Sequence, residues 1–282
     1  MAPAVTVDLI AATVELEQPL GGGMRTVGTG FLVSDPTTDG RPRVVLVTAD
    51  HVFERMKDDQ ATIGFRTQQA DGEWSFTPGK IQIRAAGKPL WRKHPTRDVA
   101  AISISAPPAF ARAAIPLTWL AGDDTLSRAQ LSPGDEMLTL GYPEGLSSNA
   151  AGFPILRSGR VASYPLGTSK AYPTFLLDFH VFPGNSGGPV YLEKPAPAGA
   201  QAGLGGPVVA GMLTQQVEVD KENLGIGIVT QAEFIRETVA LVDLSGASAP
   251  AGPAMISVAQ GERPAGTVGA RAVSAASVAR DP

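Results

Sequence analysis

Residues 183–189 read Pro-Gly-Asn-Ser-Gly-Gly-Pro and surround Ser186 with glycines. Glycines beside a serine let the backbone bend so that Oγ projects while nearby N–H groups point the same way. Such N–H groups can hold a developing oxyanion. Residues 184–188 also fit the G-x-S-x-G pattern of the nucleophile elbow in α/β-hydrolases. The chain order excludes that fold, because its histidine follows the serine and no histidine follows Ser186.

A serine nucleophile needs a base, and the chain has three histidines, His51, His94 and His180. His51 follows the strongly apolar run 44–49 and is therefore expected at a strand end, where it can line a cleft. His94 lies in the polar stretch 91–95 (WRKHP) and is predicted to be a solvated loop residue.

A histidine base must also be oriented, and two acids compete for that role. Asp98 opens the apolar run 99–104, at the head of a predicted strand. Asp50 directly precedes His51, but adjacent residues of a strand point to opposite faces, so its carboxylate should face away from the ring. The pattern favours Asp98, although a simple surface turn would also explain an acid there.

The rest of the chain predicts an all-β fold with many short strands. Short apolar runs rich in Val, Ile and Thr alternate with Gly, Pro and Asp clusters, and the chain holds 32 Gly and 24 Pro. One helix is expected over 231–241, with Thr230 as its N-cap. We expect two barrel domains, residues 1–112 and 113–244, followed by a disordered Ala/Gly/Ser/Pro-rich tail at 245–282.

Composition excludes several classes of function. With a net charge of −4 there is no basic field for nucleic acid or an anionic membrane, so neither is expected as a partner. The chain has no cysteine and no evident metal-ligand cluster, so no metal or cofactor is expected. No run of 18 apolar residues predicts a membrane span, and the N-terminus does not resemble a signal peptide. A cytoplasmic location is expected, or a periplasmic or secreted one if a leader precedes this sequence.

Taken together, the motifs resemble those of trypsin-like serine peptidases of the chymotrypsin fold. The order His…Asp…Ser, with gaps of 47 and 88 residues, is that family's order and not that of subtilisins. The resemblance covers roughly residues 5–242 and is nearest to bacterial members of the HtrA/DegP-like branch, without a following PDZ-like region. The residues that carry it are 48–52 (TADHV), 98–102 (DVAAI), 184–189 (GNSGGP), 28–31 (GTGF), 141–145 (GYPEG) and Asp178.

This resemblance implies a fold of two packed antiparallel β-barrels with a C-terminal helix, and it assigns roles by position. Ser186 would be the nucleophile and His51 the general base, while Asp98 would fix the histidine tautomer. The N–H groups of Gly184 and Ser186 would form the oxyanion hole. The implied activity is hydrolysis of protein or peptide substrates, rising between about pH 6 and 7.5 as the histidine loses its proton.

The resemblance also indicates where specificity and control would reside. His180 stands six residues before the serine, where trypsins carry Asp, so a polar pocket for an acidic or amide side chain is one reading. The other is that His180 only hydrogen-bonds neighbouring backbone. Asn185 replaces the Asp of classical trypsins, so activation by N-terminal cleavage is not expected. The residues expected around substrate are His180, Thr214, Gln215, Gln216, Gly225 and Gly227.

Two alternatives to a constitutive enzyme stay open at this point. One is an inert protease-fold module that binds peptides by strand addition without cutting them. The other is a latent enzyme whose loops 144–154 and 193–207 become ordered when an activating partner binds. The oligomeric state is not indicated by any motif.

Overall fold

A computed structural model describes residues 5–36, 42–192, 207–220, 222–243 and 254–258. The strands are β1 Thr13–Gly21, β2 Met24–Pro36, β3 Pro42–Thr48, β4 Gln60–Gln68, β5 Trp74–Gln82, β6 Arg84–Ala85, β7 Lys88–Pro89, β8 Arg92–Lys93, β9 Ala100–Ser105, β10 Ile115–Pro116, β11 Glu136–Gly141, β12 Ile155–Val161, β13 Thr174–Asp178, β14 Pro189–Leu192, β15 Val208–Val219, β16 Glu222–Gln231 and β17 Ala254–Val258. The helices are α1 Val5–Ala12, α2 Asp50–Arg55, α3 Pro108–Ala111, α4 Thr125–Arg128 and α5 Ala232–Asp243.

The first barrel is a sheet in the order β1-β4-β5-β17-β9-β3-β2, which the additional β1–β2 pairing closes into a ring. β1 and β2 form a hairpin, with Thr13 opposite Phe31, that turns through Gly22 and Gly23, both at positive φ. Strands with alternating apolar residues close into a barrel because their inward side chains then share one core. Fully or almost fully buried side chains of this core include Leu16, Phe31, Leu46, Ile63, Ile81 and Ile102.

The second barrel is closed by six strands in the order β11-β12-β13-β16-β15-β14, all paired antiparallel. Its core includes Met137, Phe175, Leu177, Tyr191, Met212 and Val229, each at most 2% exposed. The predicted helix is present as α5 and contacts β8 and β9 of the first barrel. The two-barrel all-β architecture with a C-terminal helix is therefore confirmed.

The expectation of a disordered tail over 245–282 is wrong at Ala254–Val258, which forms β17. This strand pairs antiparallel with β5, Ile256 opposite Ile81, and parallel with β9, Ala254 opposite Ile104. The run Ala-Met-Ile-Ser-Val is a short apolar strand within a tail rich in Ala, Gly, Ser and Pro, and it fills the place between β5 and β9 in the ring. The other tail residues lie outside the described part of the chain, as does most of the loop 193–207.

The expected boundary between the two domains, at residue 112, stays a prediction. Just beyond it, β10 pairs in parallel with β2 of the first sheet. Among the described residues, none of the helices has the length and apolar character needed to span a lipid bilayer.

Candidate active site

The fold brings His51 and Asp98 together through neighbouring strands. β3 ends at Thr48 and leads into α2, whose first turn carries His51. Asp98 lies just before β9, and Thr48 is opposite Ala100 in the antiparallel β3–β9 pair. Because the end of one antiparallel strand meets the start of its partner, residues 47 positions apart in sequence become neighbours.

His51 and Asp98 share two hydrogen bonds. His51 Nδ1 is 2.6 Å from Asp98 Oδ2, and the main-chain N–H of His51 donates to Asp98 Oδ1 at 2.9 Å. Burial by itself would raise the pKa of Asp98, but these hydrogen bonds and the nearby imidazole bring it below its ordinary value. The carboxylate therefore stays ionised and holds a proton on Nδ1, which leaves Nε2 as the basic nitrogen.

Asp50 does not contact the ring of His51, although the reason differs from the one expected. Both residues lie in α2 and not in a strand, and neighbours on a helix also point in different directions. Asp50 accepts hydrogen bonds from Trp91 Nε1 at 2.7 Å and from Lys93 Nζ at 3.1 Å. Burial raises the pKa of Asp50, and these two donors oppose that rise.

Ser186 lies in the loop between β13 and β14 of the second barrel and lines the same cleft as His51 and Asp98. Its Oγ donates a hydrogen bond to the main-chain carbonyl of Thr214 at 3.2 Å. Its own carbonyl accepts a hydrogen bond from the N–H of Thr29 in the first barrel at 2.9 Å. The cleft of about 710 Å³ is lined by His51, Arg55, Asp98, Val181, Phe182, Pro183, Ser186, Thr214, Gln215, Gln216 and Glu218.

The backbone before Ser186 has the form that an oxyanion hole requires. Gly184 has a φ of +94°, and a Cβ there would lie 2.2 Å from the Tyr142 carbonyl oxygen, so only glycine fits. The carbonyl of Pro183 accepts the N–H of Glu144 at 2.6 Å, and the carbonyl of Gly184 accepts Oγ1 of Thr29 at 2.6 Å. Within the described residues the N–H groups of Gly184 and Ser186 have no hydrogen-bond acceptor, which leaves both available to a substrate oxygen.

Asn185 is buried behind this loop, only 4% exposed. Its Nδ2 finds no hydrogen-bond acceptor among the described residues. A neutral amide tolerates this position, whereas a carboxylate would need a buried cation beside it. The residue therefore fits a site without a charge partner behind the serine.

The predicted substrate residues fall into two groups. Thr214, Gln215 and Gln216 line the cleft, although Oγ1 of Thr214 points into the barrel, within 3.1 Å of Oγ1 of Thr230. Gly225, Gly227 and His180 are not in the cleft lining.

Those three residues instead form a packed region beside the cleft. A Cβ on Gly225 would lie 3.3 Å from the His180 ring, and one on Gly227 would lie 2.7 Å from the Phe179 ring. His180 is exposed, and its carbonyl accepts a hydrogen bond from Arg157. The glycines therefore make room for Phe179 and His180.

The expectation that His94 is a solvated loop residue is wrong. His94 is 8% exposed, its Nε2 lies 2.7 Å from Oε2 of Glu237, and its ring packs edge-on against Phe234. Both partners lie on α5, which covers the loop that leads to Asp98. No local pattern in WRKHP could reveal a helix 140 residues further along the chain.

Sequence reasoning missed several residues of this region. Arg55, Phe182 and Glu218 line the cleft but belong to no motif. Thr29 supports the serine loop and lies in one of the quoted motifs, 28–31. That motif contributed to the resemblance, but no pattern in the sequence indicated a role for Thr29. Among the described residues no group of three or more His, Asp or Glu is placed to hold a metal ion.

Comparisons with known proteins concern the family and the fold of the chain. A family model described as a trypsin-like peptidase domain matches residues 28–195, a span that contains His51, Asp98 and Ser186. A solved structure described as the HtrA-type protease AlgW, a serine-to-alanine variant with a tripeptide, superposes with a TM-score of 0.52 at 17% identity. That alignment covers 86% of this chain, and this chain spans 64% of the other. No curated protein matches the chain. From the family match over most of its length, the chain belongs to the trypsin-like peptidase domain family.

Proposed function

We propose that this chain is a serine endopeptidase that hydrolyses peptide bonds through an acyl-enzyme on Ser186. The observation that carries the proposal is the two-point contact of His51 with Asp98, at 2.6 and 2.9 Å, in a cleft that Ser186 also lines. The family match supports the same reaction class. The main-chain N–H of His51 holds the Asp98 carboxylate in place, and the carboxylate in turn orients the imidazole, which is the role that the acid of a triad has.

The reaction follows from these groups. Ser186 Oγ leaves the Thr214 carbonyl, gives its proton to Nε2 of His51 and bonds to the carbonyl carbon of the substrate. The N–H groups of Gly184 and Ser186 hold the oxygen that becomes negative. His51 then passes the proton to the leaving amine, and an ester to Ser186 remains. Water attacks that ester, again with His51 as base, and releases the acid product and free serine.

The open edge of β15 supports extended peptide segments as substrates. One edge of β15 pairs with β16, while on the other the main-chain hydrogen bonds to β14 and the serine loop end at Leu213, and the Thr214 carbonyl accepts the Ser186 hydroxyl. Beyond that point the strand borders the cleft and has no further strand partner on that edge among the described residues. An extended peptide can hydrogen-bond there and bring its carbonyl to Ser186.

Labelling with a fluorophosphonate probe tests the proposal. The purified protein should be labelled, and Ser186→Ala and His51→Ala should abolish or nearly abolish labelling. Asp98→Asn should slow it by on the order of 10³-fold or more. Ser158→Ala is the matched control, since Ser158 is an exposed serine on β12. Labelling that survives in Ser186→Ala would contradict the proposal.

One observation favours a second candidate, a peptide-binding module without cleavage. Ser186 Oγ is hydrogen-bonded to Thr214 rather than to His51. Catalytic hydrogen bonds are often loose without substrate, so the enzyme stays the first candidate. Folded protein that is not labelled but binds peptides would support the binding module. Labelling that appears only with an added peptide or protein would instead indicate an activating partner.

A further inference from the structure

The turn Pro143–Gly145 sets the direction of one oxyanion-hole donor. Its Glu144 N–H donates to the Pro183 carbonyl at 2.6 Å. That carbonyl and the N–H of Gly184 belong to the same planar trans peptide and point in opposite directions. The hydrogen bond from Glu144 N–H to the Pro183 carbonyl therefore keeps the Gly184 N–H directed away from the turn, where a substrate oxygen can accept a hydrogen bond from it.

This turn has a strained backbone conformation, although two hydrogen bonds close it, from Gly145 N–H to the Tyr142 carbonyl at 2.9 Å and from Leu146 N–H to the Pro143 carbonyl at 2.8 Å. Glu144 has a φ of +53° and Gly145 one of +70°, two successive residues in the left-handed region. For a residue with a side chain this region costs about 1–2 kcal/mol, so a contact from outside the turn adds to these hydrogen bonds in stabilising it.

Arg25 supplies such a contact from the first barrel. Its Nη2 donates to the Gly145 carbonyl at 3.2 Å, and a Cβ on Gly145 would lie only 2.3 Å from that nitrogen. The guanidinium thus lies directly against the turn, and it carries a charge-assisted hydrogen bond to the carbonyl.

The side chain of Arg25 is itself fixed by two carboxylates on β1. Nη1 lies 2.5 Å from Oε2 of Glu17 and 3.7 Å from Oε1 of Glu15. The Glu17 and Glu15 side chains are 12% and 5% exposed, so the ion pairs are shielded from water. Because the guanidinium is bound by the carboxylates on one side and contacts the Gly145 carbonyl on the other, Arg25 fixes the position of the turn relative to β1. A freely solvated arginine could not do this.

We propose that Arg25 is a positioning residue for the oxyanion hole. It holds the Gly145 carbonyl, which keeps Glu144 N–H on Pro183 and Gly184 N–H directed to the substrate. This inference rests on the proposed function. Arg25 does not touch the reacting atoms, so its effect should appear in kcat and leave binding and the histidine base unchanged.

Steady-state kinetics on a chromogenic peptide, with Arg25→Gln against wild type, test the inference. We expect kcat to fall about tenfold, part of the 10²–10³-fold lost when an oxyanion donor is removed outright. KM should stay within about twofold, and the acid limb of the pH profile should not move. Arg25→Lys should recover most of the lost kcat, while Glu17→Gln should lower kcat about threefold.

Arg43→Gln is the matched control, because Arg43 also forms a shielded ion pair in the first barrel, at 2.6 Å to Asp35, at the end of β3 away from His51. Its kcat should equal that of wild type. Equal losses in Arg25→Gln and Arg43→Gln, or an unchanged kcat in folded Arg25→Gln, would overturn the inference. If Arg25→Gln does not fold, an unchanged kcat in Glu17→Gln overturns it. Wild type without Ser186-dependent labelling, both alone and with added peptide or protein, would instead refute the proposed function before any Arg25 variant is made.

Discussion

Replacing Thr29 by valine should destabilise the protein by far more than the loss of one surface hydroxyl. Thr29 is fully buried, and its Oγ1 makes two hydrogen bonds to backbone of the second barrel. It donates to the Gly184 carbonyl at 2.6 Å and accepts the Tyr142 N–H at 3.1 Å. Valine has nearly the same shape, so the change removes the two hydrogen bonds and leaves the volume almost intact.

The magnitude follows from what is left behind. Gly184 and Tyr142 are buried, so water does not readily replace the lost hydroxyl. A buried polar group that loses its partner costs about 1–3 kcal/mol. Two groups lose their partner, and the added methyl group contributes a small amount of apolar burial. We therefore expect Thr29→Val to lower the free energy of unfolding by about 2–4 kcal/mol. We also expect kcat to fall, because the carbonyl of Gly184, whose N–H is a proposed oxyanion-hole donor, then loses its hydrogen bond.

Urea unfolding of Thr29→Val and Thr238→Val provides the comparison. Thr238 is also fully buried, and its Oγ1 donates to the Phe234 carbonyl at 2.6 Å, within α5. That carbonyl keeps its place in the helical ladder when the hydroxyl is removed, so the control should cost about 1 kcal/mol or less. If Thr29→Val costs no more than Thr238→Val, the reasoning about the serine loop is wrong.

Three further predictions follow from buried charge and from pairing. Asn185→Asp should lower the free energy of unfolding at pH 7 by about 3 kcal/mol, measured in urea, because no cation of the described residues faces the site; equal stability would contradict this. Since the fold lowers the pKa of Asp98, its ionised form contributes stability above about pH 4 that is lost as pH falls further. The difference in free energy of unfolding between wild type and Asp98→Asn should therefore shrink below that pH. A difference that stays constant down to about pH 2 would refute this prediction. A chain ending at Leu244 lacks β17, so amide hydrogen exchange should rise at Gly79–Ile81 of β5; unchanged exchange there would show that the strand contributes no protection.

The fold could be predicted well because its signals are local. Alternation in residues 13–17 and 80–84 marks β1 and β5, and the apolar run before His51 marks β3. Apolar residues at helical spacing mark the start of α5 to within two residues, although Thr230, the expected N-cap, lies in β16. These features depend on side chains that face the core of their own strand or helix, so a short window contains the information.

Features that depend on distant partners could not be predicted in this way. His94 becomes buried because α5 brings Glu237 and Phe234 onto it. β17 is a strand because β5 and β9 leave a place for it, while the average composition of the tail indicates disorder. Arg25 has no motif, and its contact with Gly145 spans 120 positions of sequence. In each case the cause lies in the tertiary arrangement and not in the neighbouring residues.

The serine loop shows why the candidate site and the packing of the two barrels depend on the same contacts. The loop belongs to the second barrel, yet the carbonyls of Gly184 and Ser186 are both hydrogen-bonded by Thr29 of the first. Thr48, three residues before His51, donates in turn to the Thr29 carbonyl at 2.7 Å. At Gly187 any Cβ would lie 1.8 Å from that carbonyl oxygen, so the barrels meet with no room for a side chain. The strand that leads to His51 and the loop that carries Ser186 are thus joined through one threonine, and a shift of one barrel against the other would separate these two residues. The same hydrogen bonds therefore stabilise the interface between the barrels and align the site. Sequence motifs identify the residue types involved but do not show these contacts.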